Sequence, residues 1–228
     1  MNTKIFSIVG TDTGIGKTYV TVEVLNYLNS HGFSASALKP ISAGIGYGEN
    51  GLVNEDVEKL FRASKTKLAY TQISPISLQL PIAPHIAAKI ENIDLNVSNI
   101  ITKAEKSIQI LSKTEDYILI ESVGGIMVPL NATETYVDLL KAWQHPVILV
   151  VGMKLGCLNH ALLTISALRE NNINVVAWVA NCVDKDMPYR AENIEFLTQK
   201  LTMPLLGVVA YNKSITVTTE FRKIFACN

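Results

Sequence analysis

A run of glycines and small hydroxyl residues near the start of the chain ends in a lysine and a threonine. The run covers residues 10–18 and follows directly after an apolar stretch, residues 5–9. A strand that leads through a glycine-rich turn into a helix aims several backbone N–H groups at a bound anion, with the helix dipole behind them. The sequence therefore predicts a phosphate-binding loop. A glycine turn that only caps a helix is the alternative interpretation.

The end of this loop carries two groups that suit a nucleoside triphosphate. Lys17 can reach the terminal phosphates as a point charge, and the Thr18 hydroxyl can coordinate a bridging Mg²⁺. The usual spacing is G-x-x-x-x-G-K-[ST], and here Thr11 takes the position of its first glycine, with Gly10 one residue earlier. We expect MgATP to bind here. The predicted phosphate contacts are Thr13, Gly14, Ile15, Gly16, Lys17 and Thr18.

An acidic residue follows a second apolar stretch. Glu121 comes directly after residues 117–120, and Gly124 and Gly125 follow shortly after it. A carboxylate at the end of a buried strand can hold magnesium beside such a loop, directly or through water, and glycine permits close approach of the backbone to a ligand. Taken alone, a carboxylate at a strand end is as often a solvated loop residue as a functional one. Beside the phosphate-binding loop, a functional role is favoured.

A lysine follows a third apolar stretch. Lys39 comes after residues 35–38 and precedes Pro40. It places a cation at the C-terminal edge of the predicted sheet, where ligands bind in open α/β sheets. Taken alone, a lysine at a strand edge is usually a surface residue. Asp56, further along the chain, is uninformative by itself.

The elements that must position these residues alternate between strands and helices. The apolar, β-branched runs predict strands at residues 5–9, 35–38, 117–120, 147–151, 175–180 and 205–209. Because they lack in/out alternation, we expect both faces of these strands to be buried, as in a parallel sheet covered by helices. Helical spacing predicts helices at residues 17–29, 97–111, 135–143, 159–170 and 189–201. The pattern indicates a doubly wound, mostly parallel α/β fold of the P-loop NTPase-like class, in one domain spanning residues 1–228.

Two segments give weaker signals. Residues 44–54 contain four glycines without an apolar period, which predicts a mobile loop. The signals in residues 213–228 are too weak to assign a helix or a strand. Gly32 lies where the cap at the end of the first helix is expected.

Composition restricts the class of protein. The 228 residues are 48% hydrophobic, and the 20 basic side chains balance the 20 acidic ones, so we expect neither a nucleic-acid nor a membrane partner. No apolar run approaches the ~20 residues of a membrane-spanning helix, and we expect no secretory signal before the loop. Three cysteines without a C-x-x-C pair and four histidines without metal-ligand spacing predict a cytoplasmic protein without zinc or disulfides.

Taken in order, the motifs resemble those of the dethiobiotin synthetases, ATP-dependent enzymes that close the ureido ring in biotin synthesis. The resemblance covers essentially the whole chain. Its marks are Gly10-Thr11-Asp12-Thr13, Gly16-Lys17-Thr18, Lys39-Pro40, Asp56, Ala83-Pro84-His85, Glu121, Gly124-Gly125 and residues 147–152, 154–161 and 178–181.

The resemblance implies a homodimer with each active site close to the subunit interface. It also implies 7,8-diaminononanoate and CO₂ as substrates, joined as a carbamate that attacks the γ-phosphate of MgATP. The second amine then displaces phosphate to give dethiobiotin. Phosphoryl transfer of this kind needs positioning and charge neutralisation more than covalent chemistry by the protein.

The resemblance also assigns residues by position. Lys17 and Lys39 would neutralise the phosphates and the carbamate, with Lys39 the catalytic residue, and Thr18, Asp56 and Glu121 would hold magnesium. The remaining nucleotide contacts implied are Ser122, Gly124, Asn181, Ala210, Tyr211 and Asn212, with Asn181 reading adenine. The substrate contacts implied are Lys39, Ser42, Ala43, Gly124, Leu158 and Asn159, the last two at a helix start contributed by the partner subunit and suited to a carboxylate.

The sequence departs from the family pattern at several positions. Ala43 replaces the serine of K-P-x-x-S-G, with Ser42 adjacent to it. Ser122 replaces a glycine that often follows the metal-site glutamate. Ala210 to Asn212 stand where proline and an aromatic residue are common.

Two alternatives of other classes share this fold. Nucleotide-switched partitioning or positioning ATPases carry a second lysine early in the loop, where this chain has Asp12. Amide-forming ligases that act on corrinoid precursors usually carry a glutaminase domain, for which this chain is too short.

Overall fold

The computed structural model describes residues 3–48 and 51–226. A seven-stranded sheet forms its centre, in the spatial order β11-β10-β9-β8-β1-β7-β2, and neighbours are parallel except for the antiparallel pair β10/β11. The strands of this sheet are β1 (Lys4–Gly10), β2 (Ala35–Leu38), β7 (Tyr117–Glu121), β8 (Val147–Gly152), β9 (Val175–Asn181), β10 (Leu205–Val209) and β11 (Ile215–Val217).

The other elements cover the sheet or extend beyond its C-terminal edge. Two small ladders are formed by β3 (Ile41–Ala43) with β6 (Ile76–Leu78) and by β4 (Gly46–Gly48) with β5 (Gly51–Val53). The helices are α1 (Lys17–Ser30), α2 (Glu55–Ala63), α3 (Tyr70–Ile73), α4 (Pro84–Ile90), α5 (Val97–Leu111), α6 (Tyr136–Trp143), α7 (Cys157–Glu170), α8 (Arg190–Lys200) and α9 (Thr219–Ile224).

Two apolar layers lie on opposite faces of the sheet. Successive strand residues enter different layers: Ile8 belongs to one and Val9 to the other, as do Ile148 and Leu149. Helices α1, α2 and α9 cover the first face, and α6, α7 and α8 cover the second. Each fully buried Leu or Ile contributes roughly 1.5–3 kcal/mol of transfer free energy. Burial on both faces is why apolar residues occupy most positions of these strands, with the buried Ser7 and Ser36 among the exceptions.

The structure confirms the six predicted strands and five predicted helices, with no end displaced by more than two residues. The predicted cap at Gly32 is also present. Gly32 has φ +86°, and the N–H of Phe33 donates to the carbonyl of Leu28 at 3.2 Å, which closes the end of α1.

One expectation needs correction, and one unassigned segment receives its elements. Residues 44–54 were expected to lack secondary structure, but β4 and β5 pair in antiparallel register from Gly46↔Val53 to Gly48↔Gly51, with residues 49–50 outside the described part. Glycine in a strand removes the alternating apolar signal by which a strand is predicted. The unplaced C-terminal segment contains β11 and α9, while Cys227 lies outside the described residues.

None of the helices found within residues 3–48 and 51–226 has the length and apolar character needed to cross a bilayer.

Candidate active site

The predicted phosphate-binding loop leaves the sheet at its middle. Strand β1 lies between β7 and β8, and the loop runs from its end at Gly10 to the start of α1 at Lys17. Gly14 and Gly16 have φ of +71° and +76°, in the left-handed region that side chains disfavour. The glycines therefore allow the backbone to fold into a loop in front of the helix start.

Lys17 is buried inside this loop. Its ammonium donates to the carbonyl of Asp12 at 3.0 Å. Burial lowers the pKa of Lys17 to about 8, although Glu121 opposes the shift. A bound phosphate group would place a negative charge next to Lys17. It would thereby stabilise the charged form of the lysine, which burial disfavours.

Four side chains converge beside Lys17. Thr18 donates through its hydroxyl to Glu121 Oε1 at 2.7 Å, and the Lys39 ammonium donates to the same oxygen at 2.8 Å. Lys39 also donates to Asp56 Oδ2. The structure therefore brings together Lys17, Thr18, Lys39, Asp56 and Glu121, which the sequence placed on four separate segments.

The charges of this cluster stabilise one another. Burial disfavours the charged form of Lys39, but Glu121 and Asp56 outweigh burial and raise its pKa above the ordinary lysine value. Burial likewise opposes ionisation of Asp56, but Lys39 and the Thr18 hydroxyl lower its pKa. At neutral pH Lys39 is a cation between two acceptors.

A helix cap positions Asp56. Asn54 is the N-cap of α2, and its side-chain oxygen accepts from the N–H groups of Asp56 and Val57. Its amide nitrogen donates to the carbonyls of Ala43 and Gly44 at 2.9 and 2.7 Å. One side chain thereby ties the start of α2 to the end of β3. Sequence reasoning missed Asn54, although an asparagine before an acidic first turn is a capping signal.

A cleft of about 740 Å³ opens over this cluster. Its walls comprise the loop, the charged cluster and apolar residues from two further segments, residues 81–84 and residues 123, 124, 128 and 129. The lining residues that the sequence predicted for the site are Thr13, Gly14, Gly16, Lys17, Thr18, Lys39, Ala43, Asp56, Glu121 and Gly124. Tyr19 and Lys59 also line the cleft and were not predicted.

Asn181 supports the loop from behind. It ends β9, is buried, and donates through Nδ2 to the carbonyl of Ile15 at 2.8 Å. A Cβ at Gly16 would lie 2.3 Å from that nitrogen, so a larger residue there would have to displace the Asn181 amide. Asn181 and Ile15 are not among the residues that line the cleft.

The other residues expected near adenine lie next to this strand end. Ala210, Tyr211 and Asn212 follow β10, which pairs with β9 up to Val209↔Asn181. They form a turn in which Lys213 N donates to Ala210 O, and they do not line the cleft. The Tyr19 hydroxyl reaches the carbonyl of Lys213 at 3.4 Å and connects this turn to the cleft wall.

Two serines face away from the cleft. Ser42 is buried and contacts Ser74 Oγ at 2.8 Å and Ser77 Oγ at 3.3 Å, so the structure does not bring it to the predicted substrate site. The strand pleat explains this, because neighbouring residues point to opposite faces and Ala43 takes the cleft side. Ser122 is also buried, without a hydrogen-bond partner for Oγ among the described residues.

The helix start expected to receive the substrate's carboxylate lies outside this cleft. Leu158 is half-buried and Asn159 exposed in the first turn of α7. The segment before them is tied to the loop, since Lys154 contacts Asp12 Oδ2 at 3.2 Å and Asp12 Oδ1 accepts from Thr13 N at 2.7 Å. Within one chain, Leu158 and Asn159 are therefore not brought to the charged cluster.

The charged cluster has the donor set of a magnesium site. Glu121 is 1% exposed, and its Oε2 has no hydrogen-bond partner within residues 3–48 and 51–226. A hard cation prefers such a carboxylate oxygen, together with hydroxyl and phosphate oxygens. Thr18 and Asp56 supply further oxygens beside it. No group of three or more His, Cys, Asp or Glu residues with metal-binding geometry occurs in the described part, so an ion here would depend on ligand oxygens as well.

Comparison with known proteins identifies the family. A family model described as an AAA domain matches residues 4–219. The ATP-dependent dethiobiotin synthetase BioD of Cellvibrio japonicus is 43% identical over 209 residues, covering 92% of this chain and 90% of that protein. The chain belongs to the ATP-dependent dethiobiotin synthetase family. The synthetases of Legionella pneumophila strain Paris and Nitrosospira multiformis are 40% and 42% identical, covering 93% and 92% of this chain and 96% and 89% of theirs.

Solved structures confirm the fold. The signal recognition particle receptor FtsY of Elizabethkingia anophelis gives a TM-score of 0.57 at 15% identity, and the match covers 98% of this chain and 65% of that one. A chain of the MinC:MinD cell division complex of Aquifex aeolicus gives a TM-score of 0.52 at 18% identity. This match covers 91% of the present chain and 81% of that one. At these identities the likeness concerns the fold alone. The family resemblance seen in the sequence is confirmed by the dethiobiotin synthetase relatives.

Proposed function

We propose that this chain is a cyclo-ligase of biotin biosynthesis that forms dethiobiotin from 7,8-diaminononanoate, CO₂ and ATP. One amine takes up CO₂ as a carbamate, and a carbamate oxygen attacks the γ-phosphorus of ATP, releasing ADP. The second amine attacks the carbonyl carbon of the resulting carbamic-phosphoric anhydride. Phosphate then leaves with the bridging oxygen, and the cyclic urea closes. Family membership supports this reaction.

The observation in the cleft that carries the proposal is the position of Lys39. Its ammonium contacts both Glu121 and Asp56 and lies in the same cleft as the loop lysine. Because its pKa is raised, Lys39 remains a cation at neutral pH and is not a base. Its role would be to neutralise charge on the carbamate and on the transferring phosphoryl group.

Lys17 would neutralise the other side of the phosphates. In the structure its ammonium contacts the carbonyl of Asp12, a neutral acceptor that a phosphate oxygen can replace. A charge-assisted bond to phosphate is stronger than this bond to a carbonyl. We expect Lys17 to turn toward the triphosphate when the nucleotide binds.

Thr18, Asp56 and Glu121 would hold Mg²⁺ next to the triphosphate. When bound, the ion neutralises charge on the phosphate oxygens. Asn54 supports this role because it fixes the first turn of α2, from which Asp56 projects. Glu121 Oε2 supports it further, since this oxygen has no hydrogen-bond partner in the described part of the chain.

The adenine would bind beside the ends of β9 and β10. Asn181, Ala210, Tyr211 and Asn212 lie there together, and the tyrosine side chain is 46% exposed. As placed, one N–H of the Asn181 amide is used by the loop, which leaves the rest of the amide for a base edge.

The substrate would bind between two subunits of a homodimer. Ala43, Lys39 and Gly124 line the cleft, whereas Leu158 and Asn159 lie outside the cleft of their own chain. An apolar surface accompanies them: Leu155 is 94% and Leu163 62% exposed. A twofold contact through this surface would bring the helix start of one chain to the cleft of the other.

Buried free thiols at Cys157 and Cys182 suit the cytoplasm, where we place the enzyme.

A direct assay tests the function. Purified protein is incubated with MgATP, bicarbonate and 7,8-diaminononanoate, and the product is identified by its mass. We expect dethiobiotin, ADP and phosphate in equal amounts. Folded protein that binds ATP but forms no dethiobiotin would refute the assignment.

A further inference from the structure

A third lysine lines the cleft. Lys59 lies on α2 one turn after Asp56, and it lines the same cavity as Lys17 and Lys39. Its ammonium contacts Glu55 Oε1 at 2.5 Å, in an i,i+4 pair on the outer side of the helix. Neither the sequence motifs nor the mechanism above uses this residue.

The three lysines differ in how firmly they are bound. Lys39 is buried and contacts two carboxylates, and Lys17 is buried in the loop. The Lys59 side chain is 52% exposed, and that of Glu55 is 82% exposed. Exposed ion pairs of this kind contribute little, because water screens them and both side chains lose rotamer freedom. Breaking the ion pair between Lys59 and Glu55 therefore costs little free energy.

The charge of the cleft favours such a move. The charged side chains that line it, within the described residues, are three lysines and the carboxylates of Asp56 and Glu121. MgATP and a carbamate bring more negative charge than the single net positive charge of the walls. A flexible lysine at the rim can compensate for part of the difference.

We infer that Lys59 is an additional anion-binding residue of this site, which releases Glu55 and binds the terminal phosphate of the nucleotide. This inference rests on the proposed MgATP site. It adds a contact from α2, opposite the loop, so the terminal phosphate would lie between Lys17 and Lys59. Long side chains with exposed, weak partners are suited to such ligand-dependent exchange.

The test measures MgATP binding by calorimetry in the absence of diaminononanoate. We expect Lys59→Ala to weaken binding about tenfold, the effect of one charge-assisted hydrogen bond, and Lys59→Arg to restore most of it. Glu55→Gln, which frees Lys59, should bind as tightly as the wild type or more tightly. The matched control is Arg62→Ala, which breaks another i,i+4 pair of the same helix, with Glu58, outside the cleft.

The outcomes separate this inference from the proposed function. If the wild type does not bind MgATP, the proposed function fails as well. If the wild type binds and Lys59→Ala binds within twofold of it, only the role of Lys59 is refuted. Equal weakening by Lys59→Ala, Glu55→Gln and Arg62→Ala would also refute it, because that pattern indicates helix stability. In turnover, we expect Lys59→Ala to raise KM for ATP.

Discussion

Lys39 donates to Glu121 across 2.8 Å, and the two residues follow immediately after a pair of strand partners, Leu38 and Ile120. The parallel register of β2 and β7 therefore determines which of these residues lie side by side. No loop separates either residue from its strand. Groups held on strand ends are positioned more rigidly than groups on loops. This contact places a cation and a candidate metal ligand side by side at the C-terminal edge of the sheet.

Removal of the Lys39 charge should abolish turnover without abolishing nucleotide binding. We expect Lys39→Gln to lower kcat by about 10²–10³-fold, because it removes charge stabilisation of the transition state. MgATP binding should change much less, since the loop and Lys17 remain. Steady-state kinetics and calorimetry measure the two effects, and thermal unfolding checks that the variant is folded. A kcat near that of the wild type would remove Lys39 from the mechanism.

Nucleotide affinity should fall as the pH rises above 8. Burial lowers the pKa of Lys17 to about 8, so the free protein loses this positive charge above that value. Phosphate binding favours the charged form, and the Kd for MgATP should then rise roughly tenfold per pH unit, with one proton taken up on binding. Lys17→Gln should bind weakly, without this dependence. A wild-type Kd that is constant between pH 7 and 9.5 would contradict the role of Lys17.

Two glycines of the loop should respond differently to alanine. Gly14 and Gly16 both have positive φ, so alanine at either position carries a similar backbone strain of roughly 1–2 kcal/mol. A Cβ at Gly14 meets open space, whereas one at Gly16 lies 2.3 Å from Asn181 Nδ2. We expect Gly16→Ala to weaken MgATP binding at least about tenfold more than Gly14→Ala. Equal effects would show that Asn181 does not restrain the loop.

Subunit mixing tests the proposed shared site. Lys39→Gln damages the cleft, and Asn159→Glu places a negative charge at the helix start that should receive the substrate's carboxylate. Each variant alone should be nearly inactive. Randomly mixed subunits should recover about a quarter of wild-type activity, because half of the dimers carry one intact site. No recovery, in a mixture shown by mass spectrometry to contain mixed dimers, would place both residues in the same subunit's site.

The sequence predicted the central fold because its signals were local. Strands buried on both faces are apolar at most positions, and the loop of residues 10–18 has a distinctive composition. The hairpin of β4 and β5 and the segment after Lys213 could not be predicted in this way. Glycine-rich or short edge strands lack an apolar period, and their pairing depends on tertiary contacts.

Local sequence patterns predicted the site best where a chemically suited residue follows a buried strand. Lys39 and Glu121 follow apolar strands, so their position at the sheet edge follows from the sequence. Ser42 was expected at the substrate, but the alternation of β3 turns it toward Ser74 and leaves Ala43 in the cleft. Lys59 was missed because its place in the cleft depends on how α2 packs, which no local pattern records.

The path of oxygen atoms tests the central claim most directly. In a single turnover with ¹⁸O-labelled CO₂ and 7,8-diaminononanoate, one carbamate oxygen should pass to phosphate, and the other should remain in the ureido carbonyl of dethiobiotin. Mass spectrometry compares the two products, and the carbonyl label corrects for exchange with water. Attack of the carbamate on the γ-phosphorus predicts equal ¹⁸O enrichment in phosphate and dethiobiotin. Labelled dethiobiotin with unlabelled phosphate would contradict it.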